Sequence, residues 1–398
     1  MQTSGIRRIF VIVGVVSLFV SYFGLWVRMI NNPIERTGSD FIAFFSAGRV
    51  AQNEGTARVY DLNLQQEIQE HEVGFPLAPG QVLLYNHLPF LIPILQAIVS
   101  PNYVNSFYLW VFLLICLYIT GLLFLSRSLK AKEFTSRDIW LTAIGGLLFL
   151  PLFVSLINGQ DTAFLFLGAA IWMYGLLSGK EMLAGFGLSL TTVRPHISIM
   201  LALPMLFHYR KTFVGFVLGA GGLALFSILI LGLEGTLQFI NLIRISAGGE
   251  WHGMKENAMY NLIGLLTRIL PGVGAATVRT IGWIVYGITI ITLCIFWARS
   301  KNLESGKIGL TVILALFTVP HLHFHDLTLL LIPVYELIHY SAENAKLKTS
   351  IATVLPIAIS LLLLLGNLSP LLQYTFPYLI MLALAGYPYY QKHKAPIS

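Results

Sequence analysis

Charge is what this chain lacks. Only 11% of its 398 residues are Asp, Glu, Lys or Arg, against roughly a quarter in a soluble domain. Hydrophobic residues make up 56%, and the mean hydropathy is +0.75. So little polar surface cannot cover a globule in water. That excludes a soluble enzyme or binding module and points to an all-α polytopic membrane protein. Cysteine is also scarce. Cys116 and Cys294 fall in separate apolar runs, so they read as packing residues and not as a disulfide or a metal site. No small-x-small cleavage site follows the first apolar segment, Ile9 to about Ile30, which reads as a retained helix. Internal repeats, low-complexity tracts and a soluble appendage are missing, so 1–398 reads as a single integral-membrane domain.

What charge there is has a pattern. The pI of about 9.3 reflects basic residues in short loops on one side and does not call for nucleic acid. Arg7 and Arg8 put the N-terminus in the cytoplasm, and Lys392 and Lys394 put the C-terminus there. The first outer loop, 31–103, then holds Asp40, with Ser39 as a natural N-cap and Phe41, Phe44 and Phe45 as an apolar stripe. That stripe predicts a short helix lying against the bilayer. Spans follow over about Tyr103–Leu125 and Ile139–Leu156, then from the Asn158-Gly159-Gln160-Asp161 turn to Leu177. The stretch 182–207 starts and ends on the cytoplasmic side, with Arg194-Pro195-His196 near its middle. It reads as a broken hairpin, since proline is disfavoured inside a helix. A span over Phe213–Leu233 leads to an outer region, 234–279, carrying a helix near Tyr260–Leu270. A span over about Thr280–Ala298 returns, another exits to His321–Asp326, and the next returns to Lys346. The pair Ile351–Gly366 and Leu371–Tyr390 closes the fold. Sixteen of the 25 Lys and Arg fall in the cytoplasmic loops and termini of this scheme, so a parity error would strand a basic loop outside. The expectation is about ten full spans plus the broken hairpin.

The polar residues that do not belong in lipid gather on one face. Asp40, Tyr85-Asn86-His87, Asn158-Gly159-Gln160-Asp161 and the run His321–Asp326 all map to the outer side. The hairpin aims Arg194 and His196 at them. Such convergence marks a site, because lipid-facing surfaces have no use for it. Each member has a plainer reading. Asp40 could merely favour the positive end of its helix. Arg194, a cation at membrane depth, calls for a partner: a phosphate gripped in bidentate fashion, or a structural salt bridge. His321, His323 and His325 share a face if extended, whereas only His321 and His325 share one if helical. Proton transfer or hydrogen bonding to a phosphate or sugar suits these histidines and Asp326 better than zinc, for which no second ligand cluster exists. Asn158-Gly159-Gln160 reads equally as a turn or as a grip on a polar ligand. Tyr85 to Phe90 could serve only as an interfacial aromatic anchor.

Taken in order, Ser39-Asp40-Phe41, Tyr60-Asp61, Tyr85 to Phe90 ahead of Pro93, Asn158-Gly159-Gln160, a basic residue before proline, and a His-rich run ending in His325-Asp326 resemble glycosyltransferase family 87. These are integral-membrane GT-C enzymes that include polyprenol-phosphate-mannose-dependent mannosyltransferases of bacterial glycolipid assembly. The resemblance spans about Gly38 to Pro333. It implies a GT-C bundle with short helices in the first outer loop and an active site at the outer face of the inner membrane. The donor would be a polyprenyl-phosphate sugar and the acceptor a glycolipid or glycan. By this analogy Asp40 matches the family's catalytic aspartate, Arg194 stands where Lys-Pro is usual, and one of His321, His323 and His325 matches a histidine important for activity. Asn86-His87-Leu88 departs from the small residues and prolines common there. The chemistry is consistent with this. Asp40 would act as general base and Arg194 with the histidines would meet the leaving phosphate, the set that binds donor phosphate or substrate being Arg194, His196, His321, His323, His325, Asp326, Gln160, Asn158, Tyr85 and His87. A single displacement predicts inversion. No cofactor or metal is expected. A secondary transporter or lipid flippase is the rival, because broken helices with a mid-membrane cation occur there too.

Overall fold

The computed structural model describes residues 2–31, 40–129, 143–247, 256–299, 303, 306–340, 345–365 and 378. The described residues are helical with no strand. Four helices are long and apolar enough to cross a bilayer: Gly5–Asn31, Tyr103–Ser128, Arg210–Ser246 and Ala275–Arg299. At most 44% of the apolar window of any of them is buried in protein. Phe19, Leu229 and Trp283 instead stand exposed on their outer faces. An all-helical chain with apolar outward surfaces is a polytopic membrane protein. Six further apolar helices are shorter. The expected last span, Leu371–Tyr390, lies outside the described residues apart from Tyr378.

Helix α1 (Gln2–Asn31) packs against the late helix Ala345–Leu364. Ser39 lies outside the described residues, but the helix expected behind it is present as α2 (Phe41–Asn53), opening at Asp40. It does not lie against a bilayer. Phe41, Phe44 and Phe45 are all buried. Their rings meet Phe107 at 5.4 Å, Trp110 at 5.4 Å and Tyr103 at 5.0 Å. Aromatic partners from the next long helix satisfy the stripe that lipid was expected to cover, and each such pair adds about 0.5–1.5 kcal/mol beyond simple burial.

Helix α3 (Leu62–Val73) is capped by Asp61, whose side chain accepts from the amides of Asn63 and Leu64, and it closes at Gly74. Its two buried glutamines staple the extended stretch that leads to His87. Leu83 N–H and Tyr85 N–H donate to Gln69 Oε1 (2.9 Å) and Gln65 Oε1 (3.0 Å). Short α4 (Ile92–Ile98) then leads into α5 (Tyr103–Ser128). Cys116 is exposed on α5, so the packing role expected of it is not filled; both cysteines are free thiols.

The span expected over Ile139–Leu156 is interrupted. The chain is helical at 143–147 and restarts as α6 (Leu150–Asn158), with Pro151 in the first turn. That turn is where a missing N–H costs least, and Leu150 N–H finds Ser360 Oγ at 3.0 Å instead. Gly159 ends α6 in the left-handed region (φ 71°). A Cβ there would sit 2.7 Å from Phe41 Cβ, so the turn needs glycine twice over. Helix α7 (Thr162–Leu177) follows, and then the broken hairpin: α8 (Glu181–Leu190), a 3₁₀ turn at Thr191–Val193, and α9 (Pro195–Ala202). The break falls at Arg194 (φ −127°, ψ 83°), where the sequence places it. Helix α7 approaches α8 closely enough that a Cβ on Gly168 would lie 2.6 Å from Gly187 O, the small-residue packing usual between membrane helices.

After α10 (Met205–His208), α11 runs from Arg210 to Ala247 with one interruption at Gly232 (φ 64°, ψ −171°). Residues 234–247, expected as the start of the outer region, continue the helix. The helix packs on residues 56–60 on both sides of its interruption: Thr56 Oγ1 donates to Ile230 O (2.7 Å), and Phe239 meets Tyr60 at 4.9 Å. Helix α12 (Leu262–Ile269) is capped by Asn261. The remaining helices are α13 (Ala275–Arg299), α14 (Lys307–Thr318), α15 (Leu331–Tyr340) and α16 (Ala345–Leu364). Twelve residues of α14 rise roughly 18 Å, less than a bilayer core.

Candidate active site

A cavity of about 430 Å³ opens where these breaks meet. Asp40 lines it from the start of α2, His87 from the stapled stretch, and Asn158 and Gln160 from the α6–α7 turn. Arg194 and His196 line it from the hairpin break, and His321, His323 and His325 from the chain after α14. Asp326 and Tyr85 are not on its wall; both are fully buried behind it. Tyr85 packs on Phe44 (5.7 Å) and stacks on Tyr60 (5.8 Å). The stretch it heads is therefore core rather than an interfacial anchor.

Asp40 occupies the N-cap position of α2 but makes no side-chain hydrogen bond to that helix. Its Oδ2 instead accepts from Gln160 Nε2 at 2.5 Å, across 120 residues of sequence. The backbone of Gln160 is tied on both sides. Its N–H donates to Ser155 O (2.9 Å), and its C=O accepts from Ser155 Oγ (3.3 Å). Gly159 O accepts from Trp110 Nε1 (2.7 Å). The turn is thus fixed by α5 and α6.

From Arg194 on the wall a buried charge cluster runs inward. Arg194 Nη1 pairs with Asp161 Oδ1 at 3.0 Å, and Nε donates to Asp326 Oδ1 at 3.2 Å. Nη1 also donates to Val193 O (3.1 Å), and Nη2 donates to Gln160 Oε1 (3.4 Å). Asp161 and Asp326 are fully buried. The other oxygen of Asp161 meets His87 Nδ1 at 2.8 Å. Asp326 also accepts from Thr162 Oγ1 (3.3 Å) and from His323 N–H (3.3 Å). The salt bridge that the sequence left as one alternative for Arg194 is formed, and by two carboxylates. Buried ions survive only when matched and hydrogen-bonded in this way.

The histidines form a row. Ring centroids lie 6.2 Å apart for His196 and His321, 4.5 Å for His321 and His323, and 5.4 Å for His323 and His325. Neither simple geometry holds: the chain is extended to His323 and turns into a 3₁₀ helix at Phe324–Leu330. That switch is how all three reach one cavity. In the connecting loop, burial pushes both His321 and His323 below the ordinary imidazole range. The neighbouring His323 and His196 reinforce this at His321, while Asp326 and Asp40 oppose it at His323. Neutral rings offer one donor and one acceptor each. Among the described residues no cluster of His, Cys, Asp or Glu has the arrangement of a metal site.

Asp161 was read from the sequence only as part of the turn and given no role, though it joins His87 to Arg194. The signal was there: it is an acid heading the otherwise uncharged, apolar α7. Ser246 and Phe324 also line the cavity, and Asn86 Nδ2 donates to Ser246 Oγ at 2.9 Å. Nothing in a single sequence pairs residues 160 positions apart.

Against known proteins, the model of glycosyltransferase family 87 matches residues 87–320. The match opens on His87, takes in Asn158, Gln160, Arg194 and His196, and stops one residue before His321. Asp40 lies outside it. No curated protein and no solved structure matches the chain.

Proposed function

The chain belongs to glycosyltransferase family 87 and is a glycosyltransferase, and on that premise we propose that it moves a hexose, mannose by the resemblance, from a polyprenyl-phosphate donor to a glycolipid or glycan acceptor. We infer a GT-C-like bundle of about ten full spans plus the broken hairpin. Both termini would be cytoplasmic, and the reaction would occur at the outer face of a bacterial inner membrane. The family sets aside the transporter reading that the broken hairpin invited.

The observation that carries the mechanism is Asp40 on the cavity wall, held by Gln160 and sharing the space with the histidine row. In the proposed step Asp40 takes the proton of the acceptor hydroxyl as that oxygen bonds to the anomeric carbon. The bond from that carbon to the phosphate oxygen breaks, and polyprenyl phosphate leaves as an anion. His196, His321, His323 and His325 supply N–H donors to the departing phosphate, and Arg194 adds its field from the wall, where two carboxylates hold it. One displacement inverts the anomeric configuration. Asn158, Asn86 and Ser246 offer uncharged polar groups for sugar hydroxyls. The lipid-linked sugar is a co-substrate, and the step asks for no further cofactor.

The test is sugar transfer in proteoliposomes from radiolabelled polyprenyl-phosphate mannose, and separately polyprenyl-phosphate glucose, with total membrane lipid as acceptor. Asp40→Asn should lower turnover by about 10²–10⁴, the usual worth of a general base, while folding and expression hold. Full activity of Asp40→Asn would remove Asp40 from the chemistry.

A further inference from the structure

Gln160 lies between the two charges that matter most in the cavity. Its Nε2 donates to Asp40 Oδ2 and its Oε1 accepts from Arg194 Nη2. A side-chain amide can usually flip, because its two ends have nearly the same shape. Here it cannot. Flipping would set an oxygen against a carboxylate and an NH₂ against a guanidinium, replacing two attractions by two repulsions. Arg194 is held in turn by two buried carboxylates, Asp161 and Asp326. The backbone of Gln160 is fixed at both its N–H and its C=O. The backbone of this residue and the oxygen end of its amide are therefore set by α5, α6 and Arg194, and its NH₂ is aimed at Asp40.

We propose that Gln160 is a positioning residue for the base, and that Arg194 acts on Asp40 through it. Gln160 holds Oδ2 and so leaves Oδ1 to receive the acceptor proton in one orientation. The inference rests on Asp40 being the general base. It gives Gln160 a role other than gripping the sugar, and Arg194 a role other than binding the leaving phosphate directly.

The experiment compares wild type, Gln160→Ala, Gln160→Glu and Asp40→Asn in proteoliposomes, with radiolabelled polyprenyl-phosphate mannose as the donor probe. Gln160→Glu keeps the shape and the contact to Arg194 but replaces the neutral amide donor by a carboxyl that either repels Asp40 or shares a proton with it, so it perturbs the base where Gln160→Ala releases it. Both Gln160 variants should lose about a hundredfold in kcat, the scale of a misplaced reacting group, with the donor KM held. A raised donor KM with kcat intact would mean that Gln160 binds the sugar, and would overturn the proposal. A second readout needs no turnover. The infrared carboxylate stretch that disappears in Asp40→Asn identifies the base, and it should move in both Gln160 variants. A band that stays put overturns the proposal even if activity has fallen, because the loss is then not transmitted to Asp40. The two failures are separable. An active Asp40→Asn removes the base itself, whereas an inactive Asp40→Asn with an unmoved band removes only the role of Gln160.

Discussion

Replacing Arg194 by methionine separates the two roles that the sequence allowed it. The side chain is matched to Asp161 at 3.0 Å and to Asp326 at 3.2 Å, and both acids are fully buried. Breaking a buried pair from one side costs about 3–5 kcal/mol, because the charge left behind has lost its partner. Here one cation serves two anions, which pushes the cost up. Against that, Asp161 keeps His87 and Asp326 keeps Thr162 and the His323 amide. The lower end, about 3 kcal/mol, is therefore the expected loss, and it is a large share of the 5–15 kcal/mol that typically separates folded from unfolded. Activity cannot decide the matter, since either role predicts a weak enzyme. Stability can. Unfolding of the purified protein by denaturant in mixed micelles, followed by fluorescence of the buried Trp110 and Trp172, measures the loss. The triple variant Asp161→Asn/Arg194→Met/Asp326→Asn should recover at least half of it, because neutral amides no longer lack a cation. The reasoning is refuted if Arg194→Met unfolds within about 0.5 kcal/mol of wild type, the range of a surface substitution, while donor affinity collapses.

Two further outcomes are expected. Gly159→Ala must hold a left-handed residue with its Cβ 2.7 Å from Phe41 Cβ. It should cost about 1–3 kcal/mol as an overpacked, strained site and lower kcat by displacing Gln160, so a wild-type melting curve would contradict the close approach. Asp61 supplies the pH test. Burial pushes its carboxyl up, but hydrogen bonds from Arg58 and from the amides of Asn63 and Leu64 outweigh that and bring it below its ordinary 3.8. Its support for α3 is therefore full above about 3.8 and lost as pH falls through the lower folded value. Hydrogen exchange of the first turn of α3 should quicken in that acid range, and Asp61→Asn should flatten the dependence.

The fold was legible where a rule acts locally. Pro195 after a cation broke the hairpin, and Asn158-Gly159 turned the chain. It was illegible where a partner decides. The stripe Phe41, Phe44, Phe45 has the same spacing whether lipid or protein covers it, and only the aromatic faces of α5 make it core. Gly232 is another such case. Glycine, an acid and another glycine follow in short order, which reads as the end of a helix. Yet the chain needs only one residue at positive φ before the helix resumes over Tyr60.

The site shows the same division, and charge explains it. That five separate stretches would converge followed from polar groups that have no place in lipid. How they pair did not follow, because a cation at depth can be balanced equally by a ligand phosphate or by acids of the protein. In a chain only 11% charged, every ion at depth must be accounted for by another. The acids that map near the hairpin break are few: Asp40, Asp161 and Asp326. Asp40 stands at the cavity wall with Gln160 as its partner. That leaves the two acids beside helix starts, at the head of α7 and in the 3₁₀ turn before α15, as the counter-ions of Arg194. A rule that assigns counter-ions before ligands would have found Asp161 from the sequence alone. It would also have moved the expected contact with a leaving phosphate from the arginine to the histidines, as the proposed step has it.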